Sequence, residues 1–361
     1  MTSRGYNFGA GPSMLPESIL LEVRDELLNW HDLGMSILEI GQRTTPFIDL
    51  LDEIEADLRA LMAIPPDYRV LFLGGAARTQ FASIPLNFLG ENEKAGYLVT
   101  GLWSCLAYEE ASRLKQAYCV ANGEKNGFTD ILPKSEWQLK NETRYLYFTP
   151  NETVNGLRVA QIPQVGLPLV ADMTSCLLTE PVKIEDYALI FAGAQKNIAN
   201  AGLTLVIVHE AFLNTIQNDA IPVMLDYRTF SETHSLYATL PTFNCYLAGK
   251  MFRWIKEQGG VSVLYKRNGQ KAAKLYEYID NSHFYHCKVA DDARSLVNVV
   301  FTLKDPLLEN SFLDGAKARG LLALKGHRTV GGIRASMYNA MPMEGVLQLI
   351  EFMNDFAKEW A

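Results

Sequence analysis

The chain has 361 residues, of which 48% are hydrophobic and 20% are charged, a balance typical of soluble globular proteins. Its formal net charge is −8, which argues against nucleic acid as a partner because binding to a phosphate backbone depends on clustered lysine and arginine. No apolar run approaches the ~20 residues of a membrane span, and residues 1–16 lack the apolar core of a secretory signal, so we expect a cytoplasmic protein without a membrane partner.

Five cysteines are present, and no two of them lie at metal-ligand or CxxC spacing. Several sit within apolar runs, which favours buried, reduced thiols in a reducing compartment. We therefore predict no metal site. The five are Cys105, Cys119, Cys176, Cys245 and Cys287.

Strand-like apolar runs alternate with helix-like stretches from residue 69 onward. Strands are predicted over 69–73, 96–100, 117–120, 144–148, 168–171, 187–192 and 203–208. Helices are predicted over 77–89 and 102–114, although Pro85 implies that the first of them kinks or ends early. This βαβ rhythm predicts an α/β fold whose sheet is covered by helices on both faces.

The pattern changes after about residue 240. Helices are predicted over 241–257, 261–279, 308–319 and after Pro342, and strands over 295–303 and 332–337. We interpret residues 16–260 as a large domain and residues 261–361 as a smaller α/β domain, with residues 1–15 packing near the smaller one.

A lysine and an aspartate each follow a predicted strand. Lys196 lies in Ala194-Gln195-Lys196-Asn197, just past 187–192, and Asp172 comes directly after 168–171. Ligands bind at the carboxyl ends of strands in open α/β sheets. A lysine there can form a Schiff base, and an aspartate can hold the proton on a pyridine nitrogen. The pair suggests pyridoxal phosphate (PLP); the alternative is a surface lysine and a helix-capping aspartate.

Three further positions follow strands in the same way. The turn over 74–79 can bind phosphate at the start of a helix, or can be a plain strand-to-helix turn; it is not GxGxxG. Trp103 can stack on a heteroaromatic ring or fill the core. Thr153 can donate a hydrogen bond to a cofactor oxygen or cap a turn.

The segment 325–334 concentrates cationic side chains around glycines. Arg328 and Arg334 can bind two different anionic groups of one small substrate, because the planar guanidinium matches carboxylate and phosphate. The alternative is a solvated basic loop. Arg43 is uninformative on its own.

Together these segments resemble the phosphoserine aminotransferase family, which are class V aminotransferases of PLP fold type I. The resemblance runs nearly end to end and is carried by residues 7–12, 75–81, 103, 150–153, 192–197, 241–243, 325–328 and 331–342. It implies a large PLP-binding domain with a mostly parallel mixed sheet covered by helices, and a smaller α/β C-terminal domain.

The resemblance also implies roles in binding PLP. Lys196 would be the Schiff-base lysine and proton shuttle, Asp172 the partner of the pyridine nitrogen, and Trp103 the stacking ring. Thr153 would contact the phenolic oxygen side of the cofactor. The implied phosphate ligands are the backbone N–H groups of Ala77 and Arg78, the side chain of Gln195, and Thr239 of the partner subunit.

Substrate contacts are implied in the same way. Arg334 would bind the α-carboxylate. His327 and Arg328, with Arg43 of the partner subunit, would bind the substrate phosphate or the glutamate side-chain carboxylate. Two substrate-binding positions depart from the family pattern: Gln42 replaces a frequent histidine, and Ala10 replaces a serine. These changes leave the fine substrate preference open. A third departure, Ala76-Ala77 in place of glycines, keeps the backbone donors.

The implied reaction converts 3-phosphohydroxypyruvate and L-glutamate into O-phospho-L-serine and 2-oxoglutarate in serine biosynthesis, with ping-pong kinetics. The implied assembly is a homodimer with shared active sites. The sequence leaves open whether the chain also uses the 4-phosphohydroxy-threonine substrate of pyridoxine biosynthesis.

Four alternatives have less support. A serine–glyoxylate aminotransferase fits the double cationic cluster less well, and a cysteine desulfurase needs a reactive cysteine on a mobile loop. A non-catalytic anion-binding protein would carry no chromophore. A nucleotide-dependent dehydrogenase would need the missing glycine fingerprint.

Overall fold

The computed structural model describes residues 4–360. Its helices are α1 (Glu17–Glu26), α2 (Thr45–Met62), α3 (Thr79–Phe88), α4 (Leu102–Leu114), α5 (Glu210–Leu213), α6 (Tyr227–Glu232), α7 (Thr242–Glu257), α8 (Val261–Asp280), α9 (Glu309–Ala318) and α10 (Met343–Trp360). Its strands are β1 (Tyr6–Asn7), β2 (Tyr68–Gly74), β3 (Lys94–Val99), β4 (Gln116–Asn122), β5 (Thr143–Phe148), β6 (Asn151–Glu152), β7 (Leu157–Arg158), β8 (Leu169–Asp172), β9 (Leu189–Gly193), β10 (Leu203–His209), β11 (Tyr285–His286), β12 (Asn298–Leu303), β13 (Leu321–Leu322) and β14 (Ile333–Ser336).

The central sheet has the strand order β2-β10-β9-β8-β5-β3-β4. Neighbours from β9 to β4 are parallel, whereas β10 runs antiparallel to both β2 and β9. Strands β8 and β9 are buried at every position, which is why they read as continuous apolar runs rather than as alternating ones. The predicted α/β class, with a mixed and mostly parallel sheet, is confirmed.

Helices cover both faces of this sheet. On one face, α2 and α7 bury side chains such as Ile54 and Met251 against the strands. On the other face, α3 and α4 bury Phe81, Ile84 and Ala107. Because each large apolar side chain contributes roughly 1.5–3 kcal/mol when it leaves water, the two clusters hold the strand ends in a fixed arrangement.

A third hydrophobic cluster lies in the C-terminal part of the chain. Helices α8, α9 and α10 pack around the antiparallel sheet β11-β12-β14. The N-terminal segment joins this cluster, since Phe8 is buried in it and Tyr6 pairs with Leu321. These contacts favour a division near residue 260 with residues 1–15 beside the smaller unit, and the boundary stays a prediction.

Some elements differ from the predicted ones. Helices α1 and α2 precede the first predicted strand and are additional. Helix α3 begins at Thr79 rather than at 77, because residues 76–78 form a turn whose carbonyls accept the first N–H groups. The helix continues through Pro85 to Phe88, so the early end does not occur. Its buried face outweighs the one hydrogen bond that proline cannot make.

Within residues 4–360, no helix combines the length and the apolar character needed to cross a bilayer. In the same part of the chain, no three His, Cys, Asp or Glu side chains lie within reach of a common metal ion. All five cysteines are unpaired, and Cys105 and Cys119 are the two that are partly exposed.

Candidate active site

A cavity of about 210 Å³ lies at the edge of the central sheet where the parallel strands end. Strands β2, β3, β5, β8 and β9 point in one direction, so the segments that follow them meet at this edge. The predicted residues that line the cavity are Ala77, Arg78, Trp103, Thr153, Asp172, Gln195 and Lys196.

Lys196 lies in the loop between β9 and β10, and its side chain is buried. Its Nζ donates a hydrogen bond to Oγ1 of Thr153. The pKa of the Lys196 ammonium is lowered to about 8, chiefly by burial and also by the charge of Arg334, while Asp172 and Glu152 act in the opposite direction. A large fraction of this amine is therefore neutral near pH 8, as a nucleophilic lysine requires.

Asp172 is the last residue of β8 and lies level with Phe191 of β9. Its Oδ1 accepts the backbone N–H of Thr174 at 2.9 Å. Burial raises the pKa of the Asp172 carboxyl, and the hydrogen bonds from Thr174 and the charge of Lys196 oppose that rise. A buried carboxylate in this position can keep a proton on a heteroaromatic nitrogen.

Trp103 lies in the first turn of α4, which follows β3. The guanidinium carbon of Arg78 is 5.1 Å from its ring centroid and the Nζ of Lys196 is 6.0 Å away, both within cation–π range. The indole Nε1 is buried and has no hydrogen-bond partner among the described residues. The backbone of α4, rather than a hydrogen bond of the ring itself, therefore sets where the indole lies.

The turn between β2 and α3 forms another wall of the cavity. The backbone N–H groups of Ala77 and Arg78 donate to no protein acceptor in the described part of the chain, and free N–H groups at a helix start bind phosphate. Gln195 lies close to the same turn. A Cβ added at Gly193 would lie 2.6 Å from the Gln195 Oε1 and 3.0 Å from the Ala77 Cβ, so glycine at 193 leaves room for this amide.

A cationic group comes from the C-terminal part of the chain. Arg334 lies in β14, and its Nε is buried with no partner among residues 4–360. Burial lowers the pKa of His327, and the charges of Arg334 and Arg328 lower it further. None of Arg334, His327 and Arg328 lines the cavity. The charge of Arg334 nevertheless lowers the pKa of Lys196, so this guanidinium lies close enough to influence the amine, and a guanidinium can bind an anionic group.

Gln42, Arg43 and Thr239 do not line the cavity. Arg43 and Thr239 are exposed. Gln42 is only 7% exposed; its Nε2 donates to the carbonyl of Leu236 at 3.5 Å and its Oε1 accepts the N–H of Leu240. The Gln42 side chain faces the segment of its own chain that carries Thr239, and its predicted contact with substrate stays a prediction.

Ala10 takes part through its backbone. Its carbonyl accepts the hydroxyl of Tyr338 at 3.0 Å, and Tyr338 follows β14, the strand of Arg334. The predicted position is therefore tied to the segment that follows the strand of Arg334, although the methyl group offers no polar contact.

Sequence reasoning missed part of the cavity lining. The missed residues are Ala76, Phe81, Thr149, Asn151, Thr174 and Ser175. Asn151 lies in the same short motif as Thr153, so reading the whole motif would have found it. Phe81 and Ser175 carry no comparable signal, because their place in the lining depends on packing between distant segments.

A sequence model of the family described as "Aminotransferase class-V" matches residues 5–349. A Legionella pneumophila (strain Paris) protein named phosphoserine aminotransferase is 59% identical over 360 residues, which is 99% of each chain. The chain belongs to the phosphoserine aminotransferases. A second relative of that name, from Hahella chejuensis, is 49% identical over 358 residues and 99% of each chain.

Solved structures of phosphoserine aminotransferases have the same fold. The protein from Bacillus circulans subsp. alkalophilus superposes with a TM-score of 0.96 at 38% identity and covers 99% of both chains. The PLP-bound protein from Trichomonas vaginalis gives a TM-score of 0.94 at 36% identity, over 97% of this chain and 100% of that one. This phosphoserine aminotransferase catalyses transamination in serine biosynthesis with PLP as its cofactor, as expected from the sequence.

The residues of the cavity fit PLP. The amine of Lys196 and the carboxylate of Asp172 are both buried on its wall. Trp103 Nε1 and Thr149 Oγ1 are buried polar atoms without a partner in the described chain. Buried polar groups are normally satisfied, so this phosphoserine aminotransferase has the donors that a polar cofactor would use.

Proposed function

We propose that the protein transfers the amino group of L-glutamate to 3-phosphohydroxypyruvate, forming O-phospho-L-serine and 2-oxoglutarate. The observation that carries this proposal is a buried amine, Lys196, on the same cavity wall as a buried carboxylate, Asp172, with Arg334 nearby. The further cations at His327 and Arg328 favour a substrate with a second anionic group over glyoxylate.

We assign the cofactor contacts as follows. Lys196 would hold PLP through Nζ, Asp172 would keep its ring nitrogen protonated, and Trp103 would stack on the ring. Bound PLP supplies an electron sink for the negative charge that develops at the substrate α-carbon. The phosphate would be held by the N–H groups of Ala77 and Arg78, by Gln195, and by Thr239 of the partner subunit.

The protein's own contribution to the proton transfer comes from Lys196. Because its pKa is lowered to about 8, its amine is neutral often enough to accept the α-proton and basic enough to return it. The Thr153 hydroxyl, which accepts a hydrogen bond from Nζ, would orient the amine between these steps.

One cationic group would serve both substrates. Arg334 would bind the α-carboxylate, and His327 and Arg328, with Arg43 of the partner subunit, would bind the phosphate of one substrate or the γ-carboxylate of the other. Both groups are oxygen anions that a guanidinium can grip. The two substrates therefore alternate in one pocket, which gives ping-pong kinetics.

We infer a homodimer with shared active sites. Several large apolar side chains are exposed: Leu28 is 85%, Leu38 60% and Met224 52% exposed. Large exposed apolar surface can mark an interface. Arg43 and Thr239 are exposed as well, so both could reach a partner subunit. The unpaired cysteines favour a reducing compartment such as the cytoplasm.

Substitution of the reactive amine tests the chemistry. Lys196→Ala should abolish amino transfer measured as 2-oxoglutarate release, because no other buried amine lines the cavity in the described chain. Lys256→Ala, which removes an exposed ion pair with Asp57, is the control and should keep full activity. Near-native turnover in the Lys196 variant would contradict the proposal.

Mixing two inactive variants tests the shared sites. Lys196→Ala and Arg43→Ala chains, unfolded and refolded together, should recover about a quarter of wild-type activity, because half of the dimers are hybrids and each hybrid has one intact site. No recovery would contradict the assignment of Arg43 to the partner's site.

A half-reaction assay of 3-phosphohydroxypyruvate against the 4-phosphohydroxy-threonine-type substrate ranks the two phosphorylated partners.

A further inference from the structure

Glu152 is a fully buried carboxylate at the start of helix α4. Its Oε2 accepts the backbone N–H of Trp103 at 3.1 Å. Its Oε1 accepts the N–H of Ser104 at 2.9 Å and the Ser104 hydroxyl at 2.6 Å. The first N–H groups of a helix have no partner within the helix, and a negative charge there interacts favourably with the helix dipole. A carboxylate from a different element thus caps α4.

Glu152 does not touch the cofactor cavity. Its chain neighbours Asn151 and Thr153 both line that cavity, whereas Glu152 does not. Alternate residues of an extended segment point to opposite sides, so the same short strand that presents Asn151 to the cavity sends Glu152 towards α4. The carboxylate therefore does not contact a bound reactant, although its charge raises the pKa of the Lys196 ammonium.

The carboxyl group of Glu152 occupies the space that a side chain at position 101 would need. A Cβ added at Gly101 would lie 2.6 Å from the carboxyl carbon of Glu152, so only glycine at 101 lets the carboxylate approach the helix start. Ser104 completes the arrangement, because its Oγ accepts the N–H groups of Thr100 and Gly101 at 2.9 and 3.1 Å.

The position of the Trp103 ring depends on this cap. The indole Nε1 has no partner among the described residues, and the backbone N–H of Trp103 is held by Glu152. Residue 153, next to Glu152, accepts a hydrogen bond from Lys196. Two consecutive residues therefore connect the tryptophan wall of the cavity with the reactive amine.

We propose that Glu152 is a positioning residue that fixes the first turn of α4, and through it the Trp103 ring, relative to Lys196. The inference rests on the stacking role proposed for Trp103. Glu152→Gln keeps the size of the side chain but turns an acceptor into an NH₂ group facing a backbone N–H donor. The first turn of α4 should then loosen, and the ring should lose its fixed orientation.

The first test uses the protein without cofactor. In Glu152→Gln, hydrogen exchange at the amides of Trp103 and Ser104 should be faster by about tenfold or more, because opening of the capped turn becomes easier. Glu109→Gln changes an exposed glutamate of the same helix and should leave both rates unchanged. Unchanged exchange in Glu152→Gln would overturn the proposal.

The second test is a double-mutant cycle on the holoenzyme. Glu152→Gln should lower kcat by about tenfold or more, with a weaker visible circular dichroism band of the cofactor and nearly unchanged KM values. In a Trp103→Ala background the same change should cost less than about threefold in kcat, because Glu152 acts through Trp103. Equal losses in both backgrounds would overturn the proposal in favour of a direct effect of the charge.

The two tests separate this inference from the proposed function. If Trp103→Ala alone leaves kcat and the dichroism band unchanged, the stacking role of Trp103 fails, while the exchange experiment still decides whether Glu152 holds α4. If Glu152→Gln does not fold, Ser104→Ala, which removes one of the three donors to the carboxylate, takes its place in both tests with smaller expected effects in the same directions.

Discussion

The pKa of the Lys196 amine is determined by effects that oppose one another. Burial and the charge of Arg334 favour its neutral form, whereas the carboxylates of Asp172 and Glu152 favour the ammonium. The balance leaves the pKa at about 8 instead of the ordinary 10.5. A lysine tuned in this way can react with an aldehyde near neutral pH and can still carry a proton.

This balance predicts a pH dependence. Only the neutral amine captures an aldehyde, so the rate at which cofactor-free protein captures PLP should rise with pH and reach half its maximum near pH 8. Arg334→Met removes a positive charge that lowers the pKa, so the midpoint should move to higher pH. The capture rate is followed by visible absorbance.

Arg319→Met is the control for this titration. Arg319 pairs with Asp355 on the surface of the C-terminal part, and its loss should leave the midpoint unchanged. A wild-type midpoint close to the ordinary lysine value would show that the burial of Lys196 does not control its reactivity.

At the scale of elements, continuous apolar runs identified the strands that carry the site. β8 and β9 were predictable, and with them the places of Asp172 and Lys196, because a strand buried on both faces leaves a clear pattern. The direction of β10 was not predictable, since an apolar run reads the same for either direction. The contact of Glu152 with α4 was not predictable either, because a glutamate in a turn motif gives no sign that it will be buried against a helix distant in sequence.

The contact between Gln42 and the segment around Thr239 was not predictable from the sequence. A change of residue type at a site position shows that a contact is altered, but the new partner depends on tertiary packing. Here the amide of Gln42 joins two surface segments, one of which carries Arg43. These two segments form the surface that we assign to the dimer interface.

Removal of this contact should destabilise the protein. In Gln42→Leu the buried N–H of Leu240 loses its acceptor, which should lower the free energy of unfolding by about 1–3 kcal/mol. Urea denaturation of the cofactor-free protein measures the change. Gln217→Leu, at an exposed position, is the matched control and should change stability by less than about 0.5 kcal/mol. Equal behaviour of the two variants would contradict this role of Gln42.

At the scale of the whole molecule, a buried polar network connects the part of the chain around the central sheet with the C-terminal cluster. The Nδ2 of Asn151, on the cavity wall, donates to Oδ1 of Asn298 at 2.8 Å. The Nδ2 of Asn298 donates to Ser336 Oγ at 3.0 Å and to the Tyr338 hydroxyl at 3.1 Å. Each amide atom of Asn298 has a partner, so the network is satisfied and rigid. The network links the cavity wall at Asn151 to strand β14, which carries Arg334.

Asn298→Ala should therefore weaken the connection between the two parts. We expect a loss of about 2–3 kcal/mol in unfolding free energy, because the amide of Asn151 and two hydroxyl groups lose partners. Urea unfolding followed by two probes should also separate into two transitions. Asn281→Ala, in an exposed position at the end of α8, is the control. A loss no larger than in this control would contradict the structural importance of the network.

Strand β10 enters the sheet at the edge where β9 leaves it, with Thr204 opposite Gly193. Residues 194–202 are thus a short tether anchored at both ends to adjacent strands. If the strand after β9 had been parallel to it, the connection would have needed about a dozen residues or more. The lysine would then have been carried by a much longer segment. The antiparallel direction of β10 keeps this loop short and so restricts the movement of the Lys196 nitrogen. Because a displacement of about 1 Å can reduce the rate of a reaction strongly, this restraint favours catalysis. Lengthening this tether should therefore be poorly tolerated.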